Sequence, residues 1–238
     1  MESLRLIENY QPNGGVDNVR VVYDSVNNIV WIEQPIQSLY EFIDLGLPSG
    51  TKWASCNVGA SKPEEFGLYF AWGETQGYSG ITDTKKFNWG DYKLCGGSNS
   101  TLTKYNNNSS FGTVVDNLTT LEQVDDAAYQ SDNICRMPTK ADLEELTANT
   151  TSKLETLNGV NGMRFTSKTN GNSIFVPAAG YCSYGSVLDV GSFGYLWSSS
   201  LNENISRAAW YLNFYSSGVD VYNDFRYRYD GFTVRAVV

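Results

Sequence analysis

The chain contains no histidine. That absence removes the Ser-His-Asp and Cys-His arrangements of nucleophilic catalysis and every histidine-based zinc site. Carboxylates and thiols remain as carriers of chemistry. Adjacent acids occur at Glu64-Glu65, Asp125-Asp126 and Glu144-Glu145. Paired carboxyls can serve in glycoside hydrolysis, but neighbouring acids on a helix or loop are far more often a solvated face. The four cysteines, Cys56, Cys95, Cys135 and Cys182, lie far apart with no CxxC pair. That spacing favours reduced, buried thiols over disulfides. Cys95-Gly-Gly-Ser lacks the lysine and the following helix of a phosphate loop. These residues predict a non-enzyme without a cofactor, with a structural calcium ion left open.

The chemistry of recognition is concentrated in the last quarter, from Gly194 to Val238. A core skeleton runs through it: Trp197, Trp210, Leu212, Phe214, Val219, Val221, Phe232 and Val234. Trp210, Leu212 and Phe214 alternate with Tyr211, Asn213 and Tyr215, and a period of two puts the sets on opposite faces of a strand. The positions between are filled almost wholly with Tyr, Ser, Asn, Asp, Arg, Gly and Phe. Tyr supplies a large amphipathic contact area with few rotors, and Ser, Gly and Asn adapt their hydrogen bonding.

The missing residue types carry as much information. Asn204–Val238 spans 35 residues without Lys, Glu, Gln or Met, whereas the preceding 203 hold 9 Lys, 12 Glu, 6 Gln and 3 Met. At that rate about five would be expected in the tail, a sharp shift within one apparent domain. Randomising the adenines of AAC or AAT codons gives Tyr, Ser, Asp, Gly, Asn, Ile, Arg, Ala and Phe, and never Lys, Glu, Gln, Met or Trp. Trp210 is the exception in the window, and it belongs to the skeleton. A Tyr-rich surface strand that lacks long polar side chains by chance is the competing reading.

The rest of the chain must position this stretch. Its 238 residues suffice for one large domain or for a domain plus an appendage. The net charge of −9 opposes nonspecific binding to nucleic acid or to anionic lipid. No run of eighteen apolar residues argues for membrane insertion, and no signal-peptide pattern follows Met1. Residues 1–37 read as a separate β unit: Val19–Tyr23 and Ile29–Glu33 flank Asp24-Ser-Val-Asn-Asn as a hairpin, after a Gln11-Pro-Asn-Gly-Gly turn cluster. A lone hairpin is marginal in water, so an attachment or oligomerisation element is expected.

Residues 38–238 read as an α+β domain. Phe42–Ala54 predicts two strands around Pro-Ser-Gly, Lys62–Phe66 a helical turn, residues 68–72 an aromatic strand, and 76–111 long loops. Helices are expected over Thr120–Tyr129 and over Lys140–Leu146, the second capped by Pro138-Thr139 with acids in its first turns. Gly- and Asn-rich turns follow, then strands at Met163–Thr166 and Ser173–Pro177.

Six motifs occur in the order of one family: Trp53-Ala-Ser-Cys-Asn-Val-Gly-Ala, Pro63-Glu-Glu-Phe-Gly-Leu-Tyr-Phe-Ala-Trp-Gly-Glu, Arg136-Met-Pro-Thr-Lys-Ala-Asp-Leu-Glu-Glu-Leu, Pro177-Ala-Ala-Gly-Tyr, Leu196-Trp-Ser-Ser-Ser and Gly231-Phe-Thr-Val-Arg. Over residues 40–238 the chain resembles the C-type-lectin-fold domains related to formylglycine-generating enzymes. In particular it resembles the variable proteins of diversity-generating retroelements in gut bacteria and their phages. The resemblance implies a C-type lectin fold of two helices, short antiparallel strands and long loops. It also implies a hypervariable region at about 202–230, rewritten by adenine-directed mutagenesis. Formylglycine-generating enzymes use a cysteine pair late in the fold, and no Cys follows Cys182, so that activity is not implied. Tyr222-Asn223-Asp224 echoes the calcium-binding Trp-Asn-Asp of sugar-binding C-type lectins, but its positions are randomisable and the echo reads as coincidence.

The resulting expectation is a ligand- or receptor-binding protein, displayed on a phage tail fibre or a bacterial surface. The lack of a signal peptide leans toward the phage virion. A fixed-specificity carbohydrate-binding lectin or adhesin is the alternative. The expected face comprises Ile205, Arg207, Tyr211, Asn213, Tyr215, Asp220, Tyr222, Asn223, Asp224, Phe225, Arg226, Tyr227, Tyr229 and Asp230. Arg228 and Arg235 read as scaffold, while Arg207 and Arg226 read as variable. The expected partner is a protein or glycan on a target cell, bound by a homo-oligomer, a trimer if it caps a fibre; no nucleic acid is expected.

Overall fold

A computed structural model of the chain describes residues 38–222 and 226–238 in full, and the backbone of 20–24 and 29–33. The chain divides into two units, Met1–Ser38 and Leu39–Val238. In the first, β1 (Arg20–Asp24) pairs antiparallel with β2 (Ile29–Glu33), one residue later at its start than the sequence pattern suggests. The turn cluster at Gln11 lies outside the described residues.

The second unit begins with a short hairpin, β3 (Phe42–Asp44) and β4 (Lys52–Ala54), around the Pro-Ser-Gly turn, followed by β5 (Tyr69–Phe70). Lys62–Phe66 forms turns rather than a helix. Long loops then run to α1 (Ala127–Ser131) and α2 (Lys140–Asn149). The helix expected over Thr120–Tyr129 is broken into a 3-10 turn at Gln123–Asp125 and the start of α1 at Ala127. Thr120 bridges Ser200 and the Leu121 amide donates to Ser199, which holds the first residues extended, and Asp126 then interrupts the helical turns to cap α1. In α2 Thr139 is the N-cap and forms a reciprocal capping box with Asp142. Burial favours the protonated form of Asp142, but the Arg136 guanidinium and the Thr139 donors together hold its carboxyl below the usual range.

Three strands follow as an antiparallel meander: β6 (Thr150–Leu157), β7 (Val160–Ser167) and β8 (Ser173–Pro177). β6 corrects the expectation of turns there. Asn158-Gly159, with both φ angles positive, makes the tight turn that sets its register on β7. A two-residue turn also joins β9 (Tyr181–Ser183) to β10 (Ser186–Leu188), a hairpin not anticipated from sequence.

The final strands build the largest sheet: β11 (Gly194–Leu201), β12 (Ala209–Tyr215), β13 (Gly218–Tyr222) and β14 (Phe232–Thr233), in the order β13-β12-β11-β14-β5. Only the β11–β14 pairing is parallel. On one face Leu196, Leu212 and Phe214 pack with Leu143 and Leu146 of α2 and with Phe165 and Val176 of the meander. On the other, Tyr195, Trp197, Tyr211 and Phe232 pack with Phe70, Trp72 and Tyr105 beneath the long loops. The domain is therefore α+β, with its central sheet buried on both sides.

Candidate functional site

The alternation expected in β12 is present, but its second face is not solvent. Tyr211 and Asn213 are buried, which corrects their placement on an exposed patch. β12 is flanked on both sides, and its loop-side face meets an aromatic layer. Tyr211 lies edge-on to Trp197 at 5.8 Å and to Phe232 at 5.2 Å. The Asn213 amide donates to the Gly194 carbonyl. Trp210, expected in the core, is only half-buried: it sits on the helix side at the rim, where the Lys140 ammonium covers its ring at 3.9 Å. Val219 and Val221 are likewise half-buried against the same core.

Nearer the edge, the expected residues do reach the surface. Asp220 and Tyr222 on edge strand β13 are exposed, and they pair directly with Asn213 and Tyr211. Tyr215 is half-buried and stacks on Phe193 at 5.2 Å, and Phe193 in turn stacks on Tyr195. Arg226 lies 3.9 Å over the ring of Tyr181 and donates to the Tyr195 hydroxyl. Tyr227 and Arg207, also half-buried, continue the band: Arg207 sits between Tyr227 and Phe111, 5.6 Å from each ring. Ile205 is half-buried in the loop before β12. Asn223, Asp224 and Phe225 lie outside the described residues.

Tyr229 and Asp230 are buried, a second correction. The Tyr229 ring is wedged against Trp89 at 4.9 Å and Tyr184 at 5.4 Å. Asp230 Oδ2 accepts the Tyr227 amide, which closes the turn that leads into Gly231 and β14. Burial pushes the Asp230 carboxyl up to about 6, against the opposing pull of the Ser183 hydroxyl, the Tyr227 amide and Arg226.

The four arginines of the tail separate cleanly. Arg228 is fully buried; its guanidinium donates to Tyr92 Oη and to the carbonyls of Tyr105, Ser206 and Lys104, over the face of Trp72. It ties the loop before β12, the turn after β13 and a long upstream loop to one post. Arg235, also fully buried, donates to Asn57 Oδ1 and to the Ala54 and Phe175 carbonyls. Arg207 and Arg226 lie half-exposed on aromatic rings.

The face borders a cleft of about 350 Å³ between the β9–β10 hairpin and residues 226–230. Its fixed wall, including Tyr181, Ser183 and Tyr184, was not anticipated. The available signal was Gly185, which takes a positive φ at no steric cost; in the structure Tyr184 and Gly185 both do, as a two-residue hairpin turn requires.

The candidate catalytic groups are engaged elsewhere. Glu64 and Glu65 accept from Asn158 and Ser61, Asp125 pairs with Lys104, Asp126 caps α1, Glu144 pairs with Lys140, and Glu145 accepts from Ser49. All four cysteines are free thiols, and burial pushes Cys135 and Cys182 up to about 12, far from nucleophilic. Among the described residues no group of three or more His, Cys, Asp or Glu converges, and no helix is long and apolar enough to cross a membrane. Compared with family models, curated proteins and solved structures, the chain finds no match.

Proposed function

We propose that this chain is a non-enzymatic ligand-binding protein with a C-type lectin fold, whose C-terminal face is diversified by adenine-directed retroelement mutagenesis. The observation that carries this reading is the sorting of the tail's residues. Arg228 and Arg235 are sealed into the scaffold by hydrogen bonds to neutral acceptors. Arg207, Tyr215, Asp220, Tyr222, Arg226 and Tyr227, all types the codon scheme permits, are half-buried or exposed. A face that must accept many side chains needs a floor that none of them supports, and Arg228 provides it. The six sequence motifs and their order support the same family.

The N-terminal unit then serves attachment or oligomerisation, on a phage tail fibre or a bacterial surface. A trimer capping a fibre would gain avidity from weak individual contacts with a protein or glycan on the target cell. Two measurements test this. An adenine-rich near-copy of the codons for 202–230 beside a reverse transcriptase gene is expected, and its absence overturns diversification. A displayed library varied at those six tail positions is expected to yield folded binders to unrelated targets. A library that yields folded protein and no binders overturns the face.

A further inference from the structure

The cleft beside the face is lined by a carboxylate with one oxygen lacking a hydrogen-bond partner, although the nearby Ser183 hydroxyl favours its charged form. Among the described residues, two buried side-chain polar atoms have no hydrogen-bond partner: Trp53 Nε1, inside an apolar core, and Oδ1 of Asp230, a residue that lines the cleft. A buried carboxylate oxygen left without a donor is costly, and the cost is recovered when a ligand supplies one. The other walls narrow the choice of ligand. Arg226 offers a guanidinium on the same cleft, Ser186 offers a hydroxyl, and Tyr184 offers an exposed ring. A bare cation would meet Arg226 and a bare anion would meet Asp230, so one cation and one carboxylate together select a neutral ligand that both donates and accepts. The aromatic wall selects one that also has an apolar face.

We infer that this cleft is a saccharide subsite, in which one pyranose ring donates hydroxyls to Asp230, accepts from Arg226 and lays its C–H face on Tyr184. The inference rests on the binding-face reading above for the location of the face, but not on diversification. Preorganisation supports it. Tyr184 sits at the tip of a turn whose backbone amides, from Tyr184 and Gly185, donate to the Phe87 and Lys86 carbonyls, so the ring is presented from a fixed base. The volume of about 350 Å³ lies at the small end of ligand sites and suits a single sugar ring. Because the carboxylate receives the hydroxyls directly, binding requires no metal ion.

The experiment is saturation-transfer NMR on the full chain in EDTA, with methyl glycosides of glucose, galactose, mannose and N-acetylglucosamine as probes. At least one is expected to bind with a Kd on the order of 1 mM, the range open to so small a ligand. Asp230→Asn is expected to weaken it about tenfold or more. Since Asp230 also closes a turn, Tyr184→Asn serves as the second variant: it keeps a residue that tolerates the left-handed backbone, removes the ring, and should weaken binding several-fold without lowering Tm. No transfer to any probe, transfer that appears only when calcium replaces EDTA, transfer unchanged in both variants, or Asp230-dependent binding of tetramethylammonium or lysine in place of the sugars overturns the inference. Two outcomes separate it from the reading beneath it. A protein ligand held equally well by Asp230→Asn, with no sugar bound, sinks the subsite and keeps the face. A missing template copy removes diversification and leaves the subsite standing.

Discussion

The two faces of β12 carry side chains of similar bulk into different surroundings. Toward α2, Leu212 and Phe214 enter an aliphatic core shared with the helix and the meander. Toward the loops, Tyr211 enters an aromatic layer whose outer members, Phe193, Tyr215 and Arg226, approach solvent. The first face is closed by regular elements, which bury Leu212 and Phe214 completely and leave Trp210, at the rim under Lys140, half-buried. The second is closed by irregular loops, so burial fades from Tyr211 toward the edge. A surface for recognition can be cut from a buried face by thinning its cover, without altering the strand beneath.

The largest effects should come from the groups that hold both faces in place. Arg228→Met strands several buried carbonyls and should cost about 3–5 kcal/mol. Phe214→Ala should cost a similar amount, as large core truncations do. If the comparison is right, Tyr211→Ala should also cost about 3 kcal/mol, although sequence alternation assigns it to the outside. Urea unfolding of the three variants decides it. A Tyr211→Ala variant as stable as the parent would restore the simpler picture of one inner and one outer face.

That disagreement shows what the sequence could and could not disclose. Period-two alternation reports which residues share a face, and it separated Leu212 from Tyr211 correctly. It does not report whether a face is covered, because the covering residues lie more than a hundred positions away, Phe70 on the two-residue β5 and Trp72 and Tyr105 in loops without periodicity. Arg235 was legible because the sequence sets it in one short run with Phe232 and Val234, although β14 itself ends at Thr233. The role of Arg228 was legible only as a suspicion, since its acceptors are backbone carbonyls of Lys104, Tyr105 and Ser206. The β9–β10 hairpin escaped because its strands are three residues each, although Tyr184-Gly185 marked the turn. α2 was legible because its capping box is local.

A smaller effect distinguishes Asp230 from the scaffold carboxylates Asp142 and Asp116, although burial also raises Asp126. Its folded-state value of about 6 lies above the ordinary 3.8, so the fold disfavours its charged form. The sign follows: the penalty is full above pH 6, fades as pH falls toward 3.8, and is absent below. A gap of this size corresponds to about 3 kcal/mol at most. Asp142 and Asp116 are shifted the other way and lose their contribution in acid, so the readout is the difference between parent and Asp230→Asn. That difference should favour the variant most at pH 7.5 and shrink steadily toward pH 4. A pH-independent difference would mean that Asp230 is not held in a penalised charged state.

The smallest effect is expected at the rim, where the thin cover ends. Asp220 and Tyr222 are exposed on an edge strand, and their cross-strand partners Asn213 and Tyr211 are already held by neighbours of their own. Exposed substitutions rarely exceed about 0.5 kcal/mol each, so replacing both with other types permitted by the codon scheme should shift Tm by less than about 4 °C. Adding an exchange at Tyr211 to the same variant should lower Tm by several degrees more, because that ring fills the aromatic layer. The step between the double and the triple variant thus measures where the scaffold stops and the replaceable surface begins. If the double exchange alone destroys cooperative unfolding, β13 is part of the scaffold and the rim must be sought elsewhere. If the triple exchange is silent, the boundary lies one strand further in.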